Sequence, residues 1–221
     1  MSENSQTVTR APLWKRIFFS ELVIGASRAR KLAYLGVLTA MCIIANMFLE
    51  FKMFDTQFSV TIFVSVLTGM LAGPLYGFVA SFLGDFLGYV VSNWGFVYMP
   101  WVALSVSTMA FLAGMIMNCL RFRFRGGLYV KLAIICVLTF FLCTIGINST
   151  GFYFYNKGMG FSTAVIDYVS SRFGSGVTFF GYCCYRMLFK LQILNSIFNY
   201  ALLFIAVPII TSIKPLKIHL D

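Results

Sequence analysis

Apolar residues in this chain come in long unbroken blocks, with the polar positions gathered between them. The blocks fall at residues 32–49, 58–72, 75–91, 97–120 and 132–147, with a last one that starts within 179–190 and ends near 213. A helix needs about 20 apolar residues to cross a hydrocarbon core of roughly 30 Å, so the pattern predicts an all-α polytopic membrane protein with six transmembrane helices. The second block is short for a crossing, and its helix is expected to be buried among others or incomplete. Counted from Phe179, the last block exceeds what a bilayer requires, so its first turns should project outward or line a cavity.

Between Leu13 and Ala26 the spacing changes. Apolar residues at 13, 14, 17, 18, 22 and 24 alternate with Lys15, Arg16 and Glu21, which predicts an amphipathic helix lying in the membrane interface. Residues 1–12 are polar and predict no ordered element. They lack the basic-then-apolar run of a signal peptide, so no removed leader is expected. The chain thus divides into an N-terminal extension, 1–28, and a membrane domain, 29–221.

The third block carries the densest information. Gly73-Pro74 makes a turn. Gly73, Gly77, Ser81, Asp85 and Tyr89 then recur every four residues with Gly84 and Gly88 beside them, while Phe78, Phe82 and Phe86 occupy another side. Such a face packs closely against protein and aims Asp85 into the bundle. A carboxylate at a helix centre costs about 2.5–3.5 kcal/mol on insertion scales. Asp85 is therefore either structural, met by a neighbouring hydroxyl or cation, or part of a ligand or assembly site.

Composition agrees with a membrane class. Hydrophobic residues make up 60% and charged residues 11% of the 221 positions, against about 25% charged in soluble domains. The net charge of +10 reflects topology, since twelve of the seventeen Lys and Arg fall in 1–31, 121–131 and the C-terminus. Lys52, Lys157 and Arg172 occupy the intervening external loops. By the positive-inside rule both termini are cytoplasmic. No basic stripe favours nucleic acid. The six cysteines form no CxxC pair and the one histidine is His219, so no metal or cofactor site is expected and the cysteines read as packing residues.

Polar and aromatic positions mark the external side. Trp94, Tyr98 and Trp101 could form an interfacial belt or a stacking surface for a planar ligand. Residues 148–178 predict a long loop with short helical pieces that could act as a lid. Arg186 and Lys190 lie one turn apart, ahead of Gln192, Asn195 and Asn199, whose nearly common face suggests a polar cavity wall or a helix contact.

Taken together, GPLYGFVASFLGDFLGYVV, the aromatic GFVYMPW entry to the fourth helix and the small residues four apart near the first helix resemble the S components of energy-coupling-factor vitamin transporters. The resemblance covers about residues 29–213. It implies a binding subunit that captures a water-soluble vitamin from outside, beneath the loop between the first two helices and the loop between the last two. That subunit would sit in a bacterial cell membrane among lipid and dock on a transmembrane coupling subunit driven by two ATPases. By position, the resemblance places Asp55, Gln57, Asn93, Trp94, Tyr98, Tyr153, Arg186 and Lys190 near the cavity, and Ala29, Ala33, Gly36 and Ala40 at the docking contact. The chain contains no G-x-x-x-x-G-K-[ST] motif, so ATP must be used by partners.

The two cations suit an anionic substrate and the aromatics a planar ring, which favours a folate-like molecule, with cobalamin, a queuosine precursor or another vitamin precursor left open. Two other classes compete. An intramembrane enzyme would need a nucleophile or metal ligands that the spans do not offer. A self-sufficient carrier would be expected to show similarity between halves, which is not evident; a non-transporting scaffold would bind no solute.

Overall fold

The computed structural model describes residues 12–47, 49–53, 56–92, 97–122, 124, 126–174 and 176–213. Two short helices, α1 (Leu13–Phe18) and α2 (Glu21–Ile24), precede α3 (Arg28–Met47). A hairpin of β1 (Glu50–Met53) and β2 (Thr56–Ser59) leads to α4 (Thr61–Ala72), α5 (Pro74–Ser92) and α6 (Pro100–Cys119). A continuous rod follows: α7 (Gly127–Leu138), wide π-helical turns over Thr139–Ser149, and α8 (Thr150–Met159). Then come α9 (Thr163–Phe173), α10 (Phe179–Cys184) with π-helical turns over Tyr185–Phe189, and α11 (Gln192–Ser212).

Among the described residues, five helices are long and apolar enough to cross a membrane: Arg28–Met47, Pro74–Val91, Pro100–Cys119, Gly127–Met159 and Gln192–Ser212. The twelve residues of α4 span only about 18 Å at 1.5 Å per residue. Nine of those twelve are buried, so α4 runs through the centre of the bundle rather than along the lipid. There it contributes Ile62, Val66, Leu67 and Met70 to a core shared with α6, α7 and α11.

Protein completes this short helix at both ends. Above it, Asn199 of α11 accepts from Phe63 N at 2.9 Å and donates to Ser59 O at 2.7 Å, while Asn195 Oδ1 accepts from Ser59 N at 3.2 Å. Non-helical backbone at membrane depth is tolerated only where protein or a water-filled cavity meets its polar groups, and these two asparagines meet them for the hairpin junction. Below it, Ser20 N donates to Ala72 O at 3.3 Å. The turn there is Gly73, whose φ of +87° suits glycine and whose missing side chain leaves room for the backbone of Phe19 and Ser20.

Helices α3 and α5 approach closely because Gly84 and Gly88 face Cys42 and Asn46, where any Cβ would crowd those side chains.

Five expectations change in detail. The polar stretch after the first span is a hairpin with Lys52 opposite Gln57. The N-terminal amphipathic run is two short helices tied to the bundle rather than one: Asn118 Nδ2 donates to Ile17 O at 2.9 Å and Phe19 O at 3.3 Å. The fifth helix does not end at Ile147 but runs to Met159, 33 residues on the order of 50 Å, so its outer turns project beyond a 30 Å core. The last helix is broken at Leu191, which sits in the left-handed region at φ 48°. Lys131, grouped with the basic cluster by sequence, is 1% exposed inside the bundle.

Candidate functional site

The projecting end of the α7–α8 rod meets α9, α10 and the start of α6 in an aromatic cluster. Tyr153 is central: its ring lies 5.7 Å from Phe161, 5.4 Å from Phe179 and 5.7 Å from Tyr182. Val165 and Val169 of α9 fill the space beneath, so the segment read as a loop is packed over this end of the bundle. Asn156 Nδ2 donates to Tyr182 OH at 3.0 Å and to Phe152 O at 2.7 Å, linking α8 to α10.

Arg186 enters this cluster from the π-helical turns after α10. Its guanidinium lies 4.3 Å from the Phe152 ring centroid and donates to Ser149 Oγ at 3.4 Å. Burial pulls its pKa below the ordinary arginine value, yet a guanidinium stays protonated at any physiological pH, so the site holds a permanent cation. Burial likewise pushes the Tyr182 phenol up, keeping it a neutral donor.

Trp101, in the first turn of α6, packs its ring 5.9 Å from Phe152 and 5.6 Å from Tyr155. Tyr98 lies just before that turn, against Tyr89 at 5.0 Å and Phe86 at 5.5 Å. The buried atoms Tyr98 OH, Trp101 Nε1 and Asn148 Oδ1 have no hydrogen-bond partner among the described residues. A buried polar group left unmatched costs about 1–3 kcal/mol, so these atoms carry an unmet hydrogen-bonding demand.

Of the eight residues placed near a cavity, Tyr153 and Arg186 meet in the aromatic cluster, and Tyr98 stands at the edge formed by α5 and α6. Lys190 is partly buried, its backbone N–H closing the π-helical turns on Tyr185 O at 3.0 Å. Gln57 pairs in the hairpin; Asp55, Asn93 and Trp94 lie outside the described residues. Phe152, Asn148, Ser149, Asn156 and Tyr182 were not among those eight. The available signal was the four-residue spacing of Asn148, Phe152 and Asn156, which a helical reading of 148–159 puts on one face.

Asp85 is 7% exposed and accepts from Asn46 Nδ2 of α3 at 3.4 Å, an amide rather than a hydroxyl or cation. Ala29, Ala33, Gly36 and Ala40 are all exposed on one side of α3, opposite the buried Leu38, Thr39, Cys42 and Ala45.

A bundle of apolar helices capped at one end by aromatic rings and a partly buried arginine is the architecture of a membrane-embedded protein. The family model described as ECF-type riboflavin transporter, S component, matches residues 27–171, and the chain belongs to that family. It is a multi-pass membrane protein and a substrate-binding transport subunit, not an enzyme; membership carries a vitamin ligand with it. The fold is also similar to a crystal structure of FolT bound with folic acid, with a TM-score of 0.53 at 16% identity over 77% of this chain and 89% of that chain. No curated protein matches the sequence.

Proposed function

We propose that this chain captures a planar, fused-ring vitamin from outside the cell and that its aromatic end, closed by α9, is where the ring binds. The observation that carries this reading is the meeting of Arg186, Phe152 and Trp101, with Trp101 Nε1 and Asn148 Oδ1 buried and unmatched. Flat rings stack on such side chains, and a fused heterocycle brings carbonyl and imide groups that accept from a guanidinium or indole and donate to an amide oxygen. A flavin has this chemistry, and so does the pterin of a folate. The matched family is described for riboflavin and the similar structure holds folic acid. The flavin is preferred because the family match rests on sequence, whereas a likeness at 16% identity speaks to fold alone.

Delivery would follow from docking of the exposed face of α3, through Ala29, Ala33, Gly36 and Ala40, on a transmembrane coupling subunit served by two ATPases. Titration of the detergent-purified chain with riboflavin, folate, cobalamin and a queuosine precursor tests the substrate. Submicromolar binding of riboflavin, with folate weaker, is the expected result. Tight binding of folate alone would reverse the preference, and binding of none would overturn the proposal.

A further inference from the structure

The opposite end of the bundle holds a cavity. The N-terminal segment leaves about 330 Å³ against the first turns of α3 and α5, a space walled by Trp14, Lys15, Phe19, Val23, Lys31 and Tyr76. This volume lies in the lower range of small-molecule sites. The cavity is built rather than incidental. Its wall is fixed by the bonds of Asn118 to the Ile17 and Phe19 carbonyls, by that of Ser20 N to Ala72 O, and by the edge-on contact of Phe19 with Tyr76 at 5.4 Å.

Its chemistry is two-part. Lys15 from α1 and Lys31 from α3 bring two ammonium groups from separate elements, and no acidic residue lines the space. Arg16, Arg28 and Arg30 stand within three residues of these lysines along the chain, and Glu21 is the one acidic residue of positions 12–31. The remaining lining is apolar and aromatic; its Trp14 is 56% exposed, and Leu13, next to it in α1, is 75% exposed. A free inorganic anion would use the cations and leave this apolar surface in water. An amphiphile with an anionic head and apolar tails uses both. Trp and Lys together, at the level where a helix such as α3 enters the bilayer, are side chains suited to a headgroup interface.

We propose that this cavity binds one anionic phospholipid, its phosphate held by Lys15 and Lys31 and its chains leaving past Leu13 and Trp14. The N-terminal segment then serves as a headgroup clamp on the start of α3 and the Gly73 corner. This reading does not depend on which vitamin binds at the other end.

The test uses the full chain in detergent, with native mass spectrometry counting bound lipid as phosphatidylglycerol, phosphatidylcholine or inorganic phosphate is titrated in. One phosphatidylglycerol should be retained in preference to phosphatidylcholine. Each cation near an anionic headgroup contributes about 1 kcal/mol, so Lys15→Gln with Lys31→Gln should weaken retention by about 30-fold, while Lys15→Arg with Lys31→Arg keeps it. Equal retention of phosphatidylcholine, or no change in the glutamine variant, overturns the proposal. Displacement of the lipid by inorganic phosphate at comparable concentration would assign an anion site and overturn the lipid. Should the glutamine variant misfold, a salt titration of the wild type decides: retention that does not fall with salt is also fatal.

Discussion

Asn199 shows how much one side chain can carry inside a membrane bundle. It receives Phe63 N–H, donates to Ser59 O and donates to Asn195 O at 2.8 Å, so backbone at the hairpin junction depends on it. Interhelical hydrogen bonds in membranes average about 0.6 kcal/mol, but leaving backbone groups unmatched costs about 1–3 kcal/mol each. Asn199→Leu should therefore lose about 2–4 kcal/mol, read as a lower thermal midpoint in detergent. Asp85 is a contrasting case, held by one long bond from Asn46. Asp85→Asn should stay within about 1 kcal/mol of wild type and bind vitamin normally. A variant that melts normally but binds poorly would move Asp85 into the binding machinery. In the aromatic cluster, Arg186→Met keeps the stem over Phe152 and removes the charge. Bonds to charged groups are worth about 1.5–3 kcal/mol, so vitamin affinity should fall about 10-fold to 100-fold, measured by calorimetry on folded protein.

Among the elements, α3 divides most cleanly into two faces. The side carrying Leu38, Cys42 and Ala45 is buried against α4 and α5, while Gly36 has open space where its side chain would be. Nothing among the described residues needs glycine there, which fits a face kept small for another protein. Gly36→Trp should leave vitamin binding within about 2-fold and abolish ATP-driven uptake in vesicles that contain the coupling module. If binding and uptake fall together, the division of faces is wrong. Much of this was legible from spacing alone: the glycine-serine face of α5 follows directly from its four-residue repeat. The 148–159 segment was not, because its Gly, Asn and aromatic residues are weak helix formers and only packing against α9 and α10 makes them helical. Leu191 was equally hidden. Its backbone takes a left-handed conformation that leucine rarely adopts, and no leucine announces that in sequence. Asn195 and Asn199 were seen as one polar face, but that they bind a hairpin rather than a solute could not be read without the fold.

For the molecule as a whole, the question is whether α4 counts as a crossing. At about 18 Å it cannot span lipid alone, yet the hairpin above and the Phe19–Ser20 corner below extend the protein around it to something closer to a bilayer's depth. If α4 crosses, four crossings separate the cluster at Arg28–Lys31 from that at Arg121–Arg125, and both lie on the same side, as the positive-inside rule prefers. If it does not, the two clusters fall on opposite sides of the membrane and the bias is lost. The protein supplies its own probe, since Cys119 at the end of α6 is exposed. In a variant whose only thiol is Cys119, an impermeant maleimide should label permeabilised cells alone. Ser27→Cys in a chain otherwise free of cysteine should behave identically, whereas Gly160→Cys, beyond the α7–α8 rod, should label on intact cells. Opposite accessibility of positions 27 and 119 would mean three crossings between them. The hairpin would then lie on the side opposite α9, and no pocket could form between the two.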